Sequence, residues 1–225
     1  MSDVIITVRG EFSAEYPAER ATIQVSAQTD GADRDSVFAE AVAASESLRT
    51  HLPEAHESSG GPISEWSSDE VRVWTERHFT NDGSVAPRLV HSRIEFRITF
   101  SDLGGLAPWI ESAVAIPAVS IDTISWDLTD ATRDAATSTV REGAVRDAVA
   151  RATAYSASLG LGAISPLAIA DQGMLDSGSS GGGFVPLARG AMQNVAYVSG
   201  GMPGLELKPQ AIAVASVVDA RFSAS

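Results

Sequence analysis

Cysteine is absent from the 225-residue chain, which removes disulfides, thiolate nucleophiles, iron–sulfur ligation and most structural zinc sites, while leaving the redox compartment open. Lysine is almost absent as well, Lys208 being the only one. With 16 basic against 29 acidic residues and a net charge of −13, the chain lacks the cationic surface that neutralises phosphates, so neither nucleic acid nor an anionic membrane surface is expected as a partner. The deficit is uneven: residues 1–112 hold 9 basic and 19 acidic side chains, residues 113–225 hold 7 and 10. Long hydrophobic runs are also missing. The most apolar stretch, Ala211 to Val218 with Ser216 inside it, is far short of the roughly 20 residues a transmembrane helix needs. The opening MSDVIITVRG has neither the basic region nor the apolar core of a signal peptide. The expectation is a cytoplasmic protein without membrane insertion.

What is present is an ordinary globular composition, 44% hydrophobic and 20% charged, on a chain long enough to bury roughly 70% of its unfolded surface. Period-2 alternation is clearest in LVHSRIEFRITF, where Val90, Ile94, Phe96, Ile98 and Phe100 share one face and His91, Arg93, Glu95, Arg97 and Thr99 the other. That is the pattern of an antiparallel sheet packed on one side only. Similar runs predict strands at Val4 to Val8, Ala21 to Thr29, Val71 to Phe79, Val119 to Leu128 and Ile212 to Phe222, with a turn at Asn81-Asp82-Gly83.

Helical spacing interrupts the strands. Val37, Ala41, Ala44, Leu48 and Leu52 fall three and four apart before Pro53. A shorter helix is predicted from Leu103 to Val114, capped by Ser101 or Asp102. The strongest case runs from about 130 to 159, with Val140, Ala144, Ala148, Ala152, Tyr155 and Leu159 on one line and Gly160 offering a left-handed cap. The predicted order is strand, strand, helix, strand, strand, helix, strand, helix, strand, loop, strand. This is an α+β fold of antiparallel sheets packed on one face by helices, in two successive helix-on-sheet groups, residues 1–102 and 103–225, that together form one domain or two. Residues 172–210, with nine glycines and three prolines, keep no periodicity and read as an irregular segment of the kind that is functional or disordered.

Gly178-Ser179-Ser180-Gly181-Gly182 matches the G-x-S-x-G pattern of many serine hydrolases. A nucleophile elbow needs a strand before the serine, a helix after it and a later histidine. All four histidines, at 51, 56, 78 and 91, precede Ser180, and Phe184-Val185-Pro186 follows it. A trypsin-like order of His56, Asp102 and Ser180 is formally available, but that fold is a pair of β-barrels with no place for the long helices. No GxxxxGK[ST] phosphate loop occurs, and the glycines at 181–183 do not follow a strand. His51 and His56 flank Pro53 without an HExxH or cysteine partner, so they read as surface histidines and no metal is expected. Trp66, Trp74, Trp109 and Trp126 have no repeat spacing and read as core or interface residues. Arg133, Arg141, Arg146 and Arg151 read as a solvated helix face, with an intersubunit salt-bridge surface as the rival. No catalytic, cofactor-binding or metal-binding residue is assigned.

Three segments, VRGEFSAEYPAERATIQVSAQ, ISWDLTDATRDAATSTVREGAVRDAVARATAYSASLGLGAISPLAI and LKPQAIAVASVVDARF, taken in this order and spacing, resemble the SIMPL-domain family over nearly the whole chain. Glu15-Tyr16-Pro17-Ala18-Glu19 stands where that family usually has Pro-Asp, and the export signal of many bacterial members is not seen. The resemblance implies an α+β fold, self-association into higher oligomers, links with stress responses or signalling, and no established catalytic residues to carry over. The leading expectation is a non-enzymatic homo-oligomer with no cofactor and no identified protein partner. Its residues 172–210 are expected to order at a subunit contact, because Phe184, Leu187, Met192, Tyr197 and Met202 are apolar for a free linker. The alternatives are a small-molecule binder using the groove between the two groups, and a hydrolase using Ser180.

Overall fold

Alternation of apolar and polar residues needs a packed face to be stable, and two helices supply it for the central strands. In a computed structural model of the chain, which describes residues 4–52, 56, 60–76, 88–175 and 205–225, the elements follow the predicted order. They are β1 (Val4–Tyr16), β2 (Arg20–Gly31), α1 (Arg34–His51), β3 (Ile63–Glu76), β4 (Leu89–Phe100), a 3-10 turn (Leu103–Gly105), α2 (Leu106–Val114), β5 (Val119–Asp127), α3 (Asp130–Ser158), β6 (Ile164–Asp171) and β7 (Ile212–Ala224). The fold is α+β, with two antiparallel sheets of order β3-β4-β2-β5 and β1-β7-β6.

The described residues form two compact units that are interleaved along the chain, one drawn from 1–17, 128–191 and 211–225, the other from 18–127 and 192–210. The division does not fall between consecutive halves near Asp102, because antiparallel pairing joins β1 to β7.

In the four-stranded unit, Val90, Ile94, Phe96, Ile98 and Phe100 of β4 are all buried, as are Ala21, Ile23, Val25 and Ala27 of β2. Helix α1 starts where Asp33 accepts the Ser36 N–H at 2.9 Å, an N-cap that satisfies one of the helix's unpaired donors. Its stripe of Val37, Ala41, Ala44 and Leu48 closes over the sheet. Helix α2 adds Leu106, Trp109, Ile110 and Ala113. Ser92 sits in this core fully buried, with a hydroxyl that finds no hydrogen-bond partner among the described residues.

Two strand boundaries differ from the sequence reading. Strand β3 begins at Ile63 rather than Val71, and its pairing with β4 slips at Ile63/Glu65 and again at Ser68/Glu70. Each bulge reverses which side chains face inward, so no continuous alternation marks the strand. The predicted Asn81-Asp82-Gly83 turn lies outside the described residues. Strand β1 runs to Tyr16 rather than Val8, because it pairs with β7 over its full length, from Val4↔Ala224 to Tyr16↔Ile212.

In the three-stranded unit, α3 lies across β1 and β7. Thr129 caps it by accepting the Thr132 N–H. The buried line is Ala136, Val140, Ala144, Ala148, Ala152 and Ser156, four apart, with Gly143 buried beside Ala144. The line therefore ends on Ser156, whose hydroxyl donates to the Gly162 carbonyl at 2.6 Å. Tyr155 and Leu159, expected on that line, are 56% and 64% exposed. Against the helix stands Gly10, where a Cβ would fall on the Ala144 carbonyl oxygen and within 2.6 Å of the Ala148 nitrogen.

Both sites give stability predictions measurable by urea denaturation. Gly10→Ala forces helix and strand backbones apart and lowers stability by about 3 kcal/mol, the upper range for overpacking. Ser92→Ala removes an unpaired buried hydroxyl and raises stability by about 1 kcal/mol.

Candidate functional site

Several residues singled out by the sequence have definite places, and others fall outside the described residues. Ser180 with its whole GSSGG motif, His78, and the apolar side chains of the Gly-rich segment from Phe184 to Met202 are in the second group. Asp102 accepts the Gly104 N–H at 2.9 Å and so caps the turn before α2. His51 ends α1, with Nδ1 2.8 Å from the Ser47 carbonyl oxygen, and His56 bridges to Ile63. Among the described residues no group of three His, Asp or Glu side chains is arranged to hold a metal ion. Trp109 packs edge-on against Phe100 in the core, Trp126 packs against the same core, and Trp66 is 36% exposed. Arg151 pairs with Asp147 at 2.8 Å, one helical turn away. Asp147 also accepts the Glu11 N–H of β1.

The polar face of the four-stranded sheet gathers charge around Arg93. The register of β5 against β2 slips between Gln24 and Val25, which makes Asp122 the extra residue of a bulge. Asp122 then reaches across β2. Its Oδ2 accepts from Arg93 Nη2 at 2.8 Å and its Oδ1 from the buried Ser26 hydroxyl at 3.2 Å. Arg93 Nε donates to Glu95 at 2.7 Å and Nη1 to Gln28 at 3.2 Å. The guanidinium is thus engaged on three nitrogens by groups from β2, β4 and β5, and works as a cross-strand clamp. At one end of the same face Trp74 stacks on His91, ring centres 5.2 Å apart, and Glu76 lies 3.7 Å from His91 Nε2.

A second clamp, which periodicity gave no reason to single out, holds the three-stranded sheet. Arg9 and Asp219 are register partners on β1 and β7. Arg9 Nε donates to Asp219 Oδ1 at 2.8 Å and Nη2 to Oδ2 at 3.3 Å, while the Gly173 N–H, in the turn after β6, donates to Oδ2 at 2.8 Å. One carboxylate therefore ties all three strands. The hydrogen bond from Arg9 holds the Asp219 carboxyl below its usual range, desolvation works against this, and the Gly173 N–H and the Arg9 charge add to the lowering.

The third feature is an edge. Strand β6 borders the three-stranded sheet, and no side chain from Ile164 to Ala170 is charged. Leu167 and Ile169 are 54% and 56% exposed. Ile169 is the register partner of buried Ala220, so it points to the helix-bearing side of the sheet. There α3 covers β1 and β7 but barely touches β6. Because Asp147 lies toward β1, Val145 and Val149 lie on the flank of α3 toward β6, and both are exposed. Together they make an apolar shelf bounded by a strand edge. Among the described residues no helix is long and apolar enough to cross a membrane.

Replacing Asp219 tests the second clamp. At neutral pH Asp219→Asn lowers stability by about 1 kcal/mol, a modest figure because Arg9 is half exposed. The native carboxyl titrates below its ordinary value, so its contribution is complete above that value and fades as pH falls through the lowered native one. Urea curves for wild type and variant should converge in acid. A gap of the same size at about pH 2 would show that the carboxylate is not the stabilising group.

None of the curated proteins matches the chain. A sequence model of the family described as SIMPL, a protein of unknown function (DUF541), matches residues 6–222. That span reaches into every element from β1 to β7 and contains all three features above, and the chain belongs to the SIMPL family.

Proposed function

We propose that the protein is non-enzymatic and self-associating, and that copies meet through β6 and the adjoining flank of α3. One observation carries this reading, the contrast between β6 and the other sheet edges. An edge strand offers unpaired backbone groups to any passing strand, and proteins blunt such edges with charge, bulges or cover. Strand β1 carries Arg9, Glu11 and Glu15, and Asp147 occupies the Glu11 N–H. Strand β3 carries Glu65, Glu70, Arg72 and Glu76 and two bulges, and β5 carries Asp122 and Asp127. Strand β6 has a single bulge and Pro166 but no charge before Asp171.

A second copy of the chain suits this edge because the edge suits itself. Two β6 strands related by a two-fold axis pair antiparallel, apolar against apolar, and join two three-stranded sheets into one of six strands. The pairing would also cover Leu167, Ile169, Val145 and Val149. The non-enzymatic part of the reading rests on the sequence, where Ser180 precedes no histidine and is followed by Phe184-Val185-Pro186, a run unsuited to opening the helix a nucleophile elbow needs.

Light scattering after size exclusion tests the assembly. At tens of micromolar the protein should elute at a multiple of 23.4 kDa. Ile169→Arg should shift it to the monomer with an unchanged circular dichroism spectrum, whereas Val71→Arg, on the charged β3 edge, should leave the mass unchanged. A wild-type monomer at that concentration, or an Ile169→Arg oligomer of full size, would overturn the reading.

A further inference from the structure

The four-stranded unit has a depression of about 300 Å³ between α1 and the turn that leads into β5. That volume is at the small end of ligand sites. Its walls are Ala43 and Ala44 of α1 on one side and Ile116 and Pro117 on the other, with Glu40, Ser47 and Thr29 as the polar groups. The alanines one turn below Ser47 leave the space open, since longer side chains at 43 or 44 would fill it.

The polar side chains share one property: none has a hydrogen left to give. The Thr29 hydroxyl donates to the Val37 carbonyl at 2.6 Å, and the Ser47 hydroxyl donates to the Ala43 carbonyl at 3.0 Å. Neither hydroxyl therefore has a hydrogen left to donate to a ligand in the depression. Glu40, a carboxylate, is an acceptor only and makes no hydrogen bond or ion pair among the described residues. An apolar hollow ringed by acceptors, one of them negatively charged, is complementary to a ligand with a hydrocarbon body and a donor-rich positive head. The chain's net charge of −13 adds a long-range attraction for cations.

The far wall is held in an uncommon conformation. Ala118 has φ +67°, the one non-glycine residue with positive φ among those described, and its carbonyl accepts the Gln28 N–H at 2.8 Å. A left-handed alanine is disfavoured, and such backbone is kept where the surroundings dictate it, often beside a binding site.

From the acceptor-only lining, the unpaired Glu40 and the strained wall, we propose that this depression binds small alkylammonium ions. The ammonium group lies at the Glu40 carboxylate and the Ser47 oxygen, and the alkyl chain lies against Ala43, Ile116 and Pro117. The site lies within one unit and does not depend on self-association.

Titration of the 225-residue protein with n-butylammonium, followed by amide chemical shifts, tests this. Saturable shifts should appear at residues 40–47 and 116–118, and n-butanol, which lacks the charge, should produce none. Glu40→Gln should weaken binding about tenfold, the effect of losing one charge-assisted contact. Ala43→Leu, at an exposed helix position that tolerates leucine, should abolish it by filling the hollow. Glu142→Gln, which changes the net charge equally on α3, should leave the affinity unchanged. Melting temperatures of the variants separate lost binding from lost folding. Absence of saturable shifts up to about 10 mM, weaker than the millimolar binding a small charged ligand should reach here, overturns the proposal. So does equal binding by the Glu40→Gln protein, or a set of shifts elsewhere.

Discussion

Contact between α3 and β1 is the constraint from which the shape of the three-stranded unit follows. At Gly10 the helix backbone stands where a side chain would otherwise be, and Ala144, Ala148 and Ala152 keep the rest of the seam narrow. Close approach raises the density of dispersion contacts. Along the seam the helix contributes mostly alanine, with Val140 its one larger buried side chain, and Ile6, Val8, Val218 and Phe222 come from the sheet. A helix with so narrow a footing covers the strand it touches and that strand's neighbour. The third strand stays open, and Ile169 on it is exposed.

The four-stranded unit meets the same packing problem with larger pieces. Phe96, Phe100, Leu48, Leu52, Ile110 and Trp109 fill its core, two helices share the cover, and the opposite face of the sheet is polar throughout β4. Here irregularity does specific tasks. The β5 bulge delivers Asp122 to Arg93, and two bulges on β3 add to the charges that already mark that edge. Bulges bend and twist the strand that carries them and commonly re-aim side chains.

Order and type of the elements were legible because the burial pattern is simple where it is strong. Each of Val90, Ile94, Phe96, Ile98 and Phe100 is buried, and α1 and α3 begin within a residue of Asp33 and Asp130. Legibility failed where a local signal was overridden. Ser67 to Glu70 is polar and bulged, so the beginning of β3 carries no alternation to read. Alternation is equally weak from Gly10 to Tyr16, in GEFSAEY, so the length of β1 shows only through its partner. Tyr155 and Leu159 fit a three-and-four spacing, but the seam advances by four and passes to Ser156. The two clamps were invisible for a different reason: Arg9 and Asp219 are 210 positions apart, and Asp122 meets Arg93 only through a register slip. Glu40 and Ser47 were readable as helix surface, but the hollow between them depends on the distant turn at Ile116 and Pro117.

Strands β1 and β7 are hydrogen-bonded partners along thirteen residue pairs. A ribosome releases them in the opposite order of need: β1 emerges early and stays without its neighbour until β7 has been made. Meanwhile residues 18–127 leave as one unbroken stretch and already contain all four strands and both helices of the other sheet. Vectorial synthesis thus gives the two units different waiting times, and the small-residue seam that defines one of them closes only after the other has had every strand it needs.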